Sequence, residues 1–158
     1  MIIIYTDGSS RGNPGPGGYG AIIFSGDKVK EIGERFEETT NNRMEMTAAI
    51  KALKNTPENS EIELHTDSEY LMKGITLWIN NWQQNNWRTK NKKPVLNQDL
   101  WQTLLTETSK RKVEWKKVLG HSGHKFNDRC DEIATAFADR KEVSLYEGSK
   151  FDYESEAL

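Results

Sequence analysis

Apolar and polar positions change period several times along the chain. Residues 2–6 form a β-branched and aromatic run closed by Asp7-Gly8, which predicts a strand running into a turn. Residues 8–18 are rich in glycine and hold two prolines, so they read as a turn-rich connection. Residues 19–24 predict a second strand, Ser25-Gly26-Asp27 a turn, and residues 28–37 a third strand, giving an antiparallel meander. The period then becomes helical. Met46, Ala49, Ile50 and Leu53 make one apolar stripe at i, i+3, i+4 and i+7, and Asn42 with Glu45 reads as a capping box at its start. Residues 61–66 alternate as a strand does. Residues 68–73 and 75–82 read as helix interrupted at Gly74, and the polar, basic stretch 83–97 as a loop or a poorly packed helix plus loop. Residues 97–109 predict a helix with Leu100, Trp101, Leu104 and Leu105 on one side, and 112–119 a strand bearing Val113 and Trp115. A loop at 120–126 precedes a helix at 127–140 with Cys130, Ile133, Ala134 and Phe137 facing inward. The order βββαβααβα predicts an α/β domain over residues 1–141. Residues 142–158 carry five acids against the single Lys150 and are expected to be an acidic, flexible C-terminal tail.

The length of 158 residues suits one domain. A single cysteine, Cys130, excludes a disulfide scaffold. No apolar run approaches the ~18 residues of a membrane span, and the first residues lack the basic stretch of a secretion signal. A cytoplasmic location is therefore expected. The formal net charge of −2 hides an uneven distribution. Residues 78–117 hold nine basic and three acidic side chains and all five tryptophans. A basic patch with interleaved aromatics is the footprint of a phosphate backbone. A solvated helix face over core tryptophans is the ordinary alternative.

The remaining acidic surface would repel phosphates unless divalent cations intervene, which directs attention to the acids. Asp7 ends the first strand and Asp67 the fourth. Ligands of open α/β sheets gather at the carboxyl ends of parallel strands, so these two meet if strands one and four are parallel neighbours. Glu45 and Asp131 each border the apolar stripe of a helix, from where a carboxylate can tilt towards the sheet edge. Clustered carboxylates repel one another, and a divalent cation removes the conflict. An all-oxygen set suits Mg²⁺ or Mn²⁺ rather than zinc, and two such ions ~4 Å apart serve phosphodiester cleavage. Taken singly, each acid also has an ordinary reading as a turn, cap or surface residue. His121, His124 and Cys130 do not make a zinc site, because the spacing fits no finger and only one thiolate is present. A histidine in this glycine-flanked loop is a candidate proton carrier.

The motifs Thr6-Asp7-Gly8-Ser9, Gly12-Asn13-Pro14-Gly15-Pro16-Gly17-Gly18-Tyr19-Gly20, Thr40-Asn41-Asn42-Arg43-Met44-Glu45, Thr66-Asp67-Ser68, Gly120-His121-Ser122-Gly123-His124 and Cys130-Asp131-Glu132 together resemble bacterial ribonuclease H of type 1, from residue 3 to about 140. The resemblance implies the ribonuclease H-like fold, a five-stranded mixed sheet of order 3-2-1-4-5 with helices on both faces. It implies endonucleolytic hydrolysis of the RNA strand of an RNA–DNA hybrid with two Mg²⁺ ions, Mn²⁺ substituting, leaving 5′-phosphate and 3′-hydroxyl ends. Asp7, Glu45, Asp67 and Asp131 match its metal-binding carboxylates and His121 its mobile histidine. Asn13, Asn41 and Asn42 match residues at the minor groove, and Thr40 and Asn97 match residues that hold a phosphate of the DNA strand. Glu38 departs from relatives that place an arginine near that phosphate. Residues 78–94 correspond to a basic protrusion carrying Trp78, Trp82, Lys90, Lys92 and Lys93, made less basic by Gln83-Gln84-Asn85-Asn86. A monomer without organic cofactor or membrane association is expected. The rival readings are a non-catalytic hybrid-binding protein and an integrase- or transposase-like DNA nuclease of the same fold.

Overall fold

The computed structural model describes residues 1–119 and 124–156. Its elements are β1 (Ile2–Ser10), β2 (Gly15–Ser25), β3 (Lys28–Thr39), α1 (Asn41–Lys54), β4 (Glu61–Thr66), α2 (Glu69–Lys73), a π-helical turn (Gly74–Trp78), α3 (Ile79–Gln84), α4 (Gln98–Ser109), β5 (Lys112–Lys117), α5 (Lys125–Ala138), β6 (Glu147–Ser149) and α6 (Lys150–Glu156). The sheet runs β5-β4-β1-β2-β3-β6. β1, β2 and β3 pair antiparallel, while β4 lies parallel to both β1 and β5. The expected order 3-2-1-4-5 is therefore present, extended by a sixth strand.

Side-chain alternation sends the sheet's apolar residues to two cores. Ile4, Ala21, Ile23, Ile62 and Leu64 face Met46, Ile50, Leu53, Leu71, Trp101 and Leu104 of the α1–α4 layer. Ile3, Tyr5, Ile22 and Phe24 point the other way, to Phe126 and Cys130 of α5 and Tyr153 of α6.

The C-terminal segment is not the free tail that its acidity suggested. β6 pairs antiparallel with the start of β3, Lys28 opposite Ser149 and Lys30 opposite Glu147. Tyr153 is completely buried. Its hydroxyl donates to Glu31 Oε2 at 2.8 Å, and Glu31 also accepts from Arg129 Nε at 2.8 Å and from the Tyr146 amide at 2.9 Å. Burial alone would raise the Glu31 pKa, but these donors outweigh it and hold the carboxyl below its ordinary range.

Three local expectations also give way, each for a packing reason. β1 and β2 extend well into the glycine-rich stretch. A Cβ on Gly18 would lie 2.6 Å from the Ala134 carbonyl, and one on Gly20 2.5 Å from that of Cys130. These glycines let α5 rest directly on the sheet. The interruption expected at Gly74 takes the form of a π-turn rather than a break, and a glycine stands there because a Cβ would lie 2.0 Å from the Trp101 ring. The cap of α1 is Thr40 rather than Asn42. The Thr40 side chain accepts from the Arg43 amide at 3.2 Å, so Glu45 lies two residues further into the helix than a capping box would put it.

Candidate active site

The β1–β4 register pairs Ile4 with Leu64 and Tyr5 with His65. Continued by two residues, it sets Asp7 beside Asp67 at the carboxyl ends of two parallel strands. The helix bearing Glu45 reaches them because residue 8 lacks a side chain. A Cβ on Gly8 would fall 2.4 Å from the Glu45 amide nitrogen. α1 therefore lies against β1 at this point, and ligand oxygens of Asp7, Glu45 and Asp67 all come within 4.8 Å of one another. Beyond Asp67 the chain turns into α2, where the Ser68 side chain accepts from the Leu71 amide at 3.1 Å.

Asp7 and Glu45 are buried and Asp67 is half-buried. Burial, followed by the Asp67 charge, pushes the Asp7 pKa up to about 7, even though its Oδ1 accepts from the Gly8 amide at 2.9 Å. Burial, followed by the charges of Asp7 and Asp67, drives Glu45 well above its ordinary value. Glu45 Oε1 is buried and has no hydrogen-bond partner. A buried oxygen without a donor, facing two further carboxylates, fits a hard divalent cation of the Mg²⁺ or Mn²⁺ type and does not fit zinc.

Asp131 is exposed on α5, in the turn that begins with buried Cys130. Its charge reaches Asp7 and adds to the rise of that pKa, but it stands outside the convergent trio. His121 lies outside the described residues. Cys130 matches its expected packing role. It is wholly buried, its thiol donates to the Tyr5 carbonyl at 3.3 Å, and burial drives its pKa up, which makes it inert.

The residues expected at the substrate fall into two groups. Asn13, on the β1–β2 connection, accepts at Oδ1 from the Asn41 amide at 3.3 Å and so ties the hairpin to the start of α1, where Thr40, Asn41 and Asn42 follow one another. Asn97, immediately before α4, has a left-handed backbone with φ of 61°. In the protrusion, Lys90, Lys92 and Lys93 are exposed on a loop closed by the Arg88–Pro94 bridge. Trp78 and Trp82 are half-buried. The Trp82 ring lies 5.8 Å from Trp78, 6.4 Å from Trp87 and 5.5 Å from Trp101, which makes it the anchor of the protrusion on the core. Sequence reading passed over Arg43, whose guanidinium reaches both Asn97 and Asp99. A cation in the first turn of a helix opposes the helix dipole, and that conflict was a legible sign that it has an acidic partner.

The family model for RNase H matches residues 1–139. The chain belongs to the ribonuclease H family. The ribonuclease H of Psychromonas ingrahamii is 52% identical over 150 residues, covering 93% of this chain and 98% of that one. The ribonuclease HI of Caulobacter vibrioides is 52% identical over 133 residues, covering 84% and 89%. Among solved structures, LC9-RNase H1, a type 1 RNase H with the type 2 active-site motif, superposes with a TM-score of 0.81 at 27% identity over 98% of this chain and 80% of its own. LC11-RNase H1 in complex with an RNA/DNA hybrid gives a TM-score of 0.67 at 28% identity over 89% and 98%. Among the described residues of this ribonuclease H, no helix is long and apolar enough to cross a membrane.

Proposed function

We propose that the protein cleaves the RNA strand of RNA–DNA hybrids, as a cytoplasmic monomer, with Mg²⁺ held by Asp7, Glu45, Asp67 and Asp131. The observation that carries the reading is the convergence of three carboxylates around a buried, unpartnered Glu45 oxygen. It is supported by family membership and by the hybrid bound to LC11-RNase H1. Bound divalent cations supply a water of lowered pKa and charge compensation at the leaving 3′-oxygen, so products carry 5′-phosphate and 3′-hydroxyl ends. The chain's own part is positional. β1 and β4 fix Asp7 and Asp67, and α1 presents Glu45 on a rigid helix. α5 offers Asp131 from the solvent side, where a carboxylate can adjust to substrate. His121 serves as the proton carrier.

Hybrid selection follows from shape. A hybrid duplex has a wide, shallow minor groove lined by 2′-hydroxyls on one strand. The Asn41 backbone amide donates to Asn13 and ties the hairpin to the start of α1, so that Asn13, Asn41 and Asn42 would meet that groove together. Thr40 and Asn97 take a phosphate of the DNA strand, and Lys90, Lys92 and Lys93 extend the contact along the backbone.

The test is incubation with Mg²⁺ and four end-labelled substrates: hybrid, double-stranded DNA, double-stranded RNA and single-stranded RNA. EDTA and Asp7→Asn serve as controls. Metal-dependent cutting confined to the RNA strand of the hybrid is the expected result. Tight binding without cutting would point to a binding protein instead, and DNA cutting to an integrase-like nuclease.

A further inference from the structure

Asn97 is held at both ends of its side chain. Its Oδ1 accepts from Arg43 Nη1 at 3.1 Å, and its Nδ2 donates to the Tyr70 hydroxyl at 3.1 Å. The orientation of the amide is fixed by chemistry, because a guanidinium can only donate. Tyr70 is itself anchored. Trp101 Nε1, on a fully buried ring, donates to the same hydroxyl at 3.2 Å. Arg43 is gripped in turn by Asp99, Nη1 to Oδ1 at 3.0 Å and Nη2 to Oδ2 at 2.7 Å, a two-pronged pair that keeps the Asp99 carboxyl below its ordinary range.

From this geometry we propose that Arg43 and Asp99 form a positioning clasp for substrate. It locks α1, which carries Thr40, Asn41 and Asn42, to the turn that carries Asn97, so that the two halves of the nucleic-acid surface are in register before the hybrid arrives. Asp99 has already matched the charge of Arg43, so Arg43 acts through Asn97 rather than as a free cation. With Oδ1 and one N–H engaged, the second N–H of Asn97 is the group left to meet a phosphate oxygen. The clasp rests on the proposed role of Asn97 and specifies how that residue is made ready.

The experiment is hybrid binding by fluorescence anisotropy in EDTA, so that no turnover intervenes, repeated across a salt series. Four variants are compared with the parent: Arg43→Ala, Asp99→Asn, Asn97→Gly, and Arg43→Ala combined with Asn97→Gly. Glycine is chosen at residue 97 because it accepts the left-handed backbone without strain. Loss of one positioned hydrogen bond is expected to weaken binding about fivefold in each single variant. The double variant is expected to bind no more weakly than Asn97→Gly alone, since both changes disable the same contact. The salt slope of Arg43→Ala is expected to match the parent, whereas loss of a direct phosphate contact would reduce it by about one. Asp99→Asn is the sharpest arm. Removing an acid beside a polyanion site strengthens binding if charge alone matters, and weakens it if the clasp does. Tighter binding by Asp99→Asn, or parental binding by Arg43→Ala while Asn97→Gly is impaired, overturns the clasp alone. Parental binding by Asn97→Gly overturns the phosphate role of Asn97 and the clasp with it.

Discussion

In the absence of metal, replacing Asp7 with asparagine is expected to stabilise the fold. The Asp7 carboxyl is raised from 3.8 to about 7, by burial first and by the neighbouring charge of Asp67 second. A carboxyl whose pKa is higher in the folded state than in the unfolded chain favours folding fully only below the unfolded value. Stability is then lost as pH climbs to the folded value and changes little beyond it. A shift from 3.8 to about 7 corresponds to about 4 kcal/mol at the upper plateau, with about half of that already lost near pH 5.5. The introduced amide would retain an acceptor for the Gly8 N–H, which Asp7 Oδ1 binds at 2.9 Å, so little hydrogen bonding offsets the gain. The same change relieves Glu45, whose pKa is raised in part by Asp7. Urea unfolding in EDTA is the assay. We expect Asp7→Asn to exceed the parent by about 2–4 kcal/mol above pH 7, with the gap closing towards pH 4. Added Mg²⁺ is expected to narrow the gap, because a ligand that binds only the folded state stabilises the parent, whereas the variant has lost a donor. A variant no more stable than the parent at about pH 8 in EDTA would refute the claim that these carboxylates repel one another in a desolvated cluster.

Replacing Lys90, Lys92 and Lys93 together with alanine is expected to raise KM, leave kcat intact and lower the salt slope of hybrid binding by up to about three; steady-state kinetics and salt titration check this, and a loss confined to kcat would contradict it. Tyr153→Ala is expected to cost about 3–5 kcal/mol in urea unfolding, and Tyr153→Phe about 1.5–3 kcal/mol through loss of the hydrogen bond to the Glu31 carboxylate. His121→Ala is expected to slow single-turnover cleavage without abolishing it, and a parental rate would remove it from proton transfer.

Much of the fold was legible because its signals are local and periodic. The Met46–Leu53 stripe and the alternation of residues 61–66 directly report which face is buried. Asp7 and Asp67 could be placed together once the family resemblance supplied the strand order. The rest depended on contacts between distant segments. Glycines 18 and 20 resemble turn residues until α5 is known to lie on them, and Gly74 resembles a helix breaker until Trp101 is seen against it. Charge counting over residues 142–158 obscured Tyr146 and Tyr153, two aromatics whose value lies in a groove made by β3 and α5. Trp82 stands among basic residues and is expected at substrate; that its half-buried ring also packs on three other tryptophans is a contact between distant segments that no local pattern reports. Arg43 was visible only as part of a motif, since its partners lie more than fifty positions further along.

β6 is only three residues long, but it covers part of an exposed sheet edge. A bare edge presents rows of unpaired backbone groups that can recruit a second chain. β3 spans 12 residues, and β6 meets it at Lys28, Val29 and Lys30, with Glu31 continuing the contact through its amide to the Tyr146 carbonyl at 2.8 Å. A chain shortened at residue 141 would keep all four carboxylates while uncovering this edge and leaving Arg129 as the remaining side-chain donor to Glu31. The carboxylate cluster and the segment that covers this edge therefore lie in different parts of the sequence. Proteolytic clipping near residue 141 would free the β3 edge for self-association and, by removing the buried Tyr153, would lower the stability of the fold at the same time.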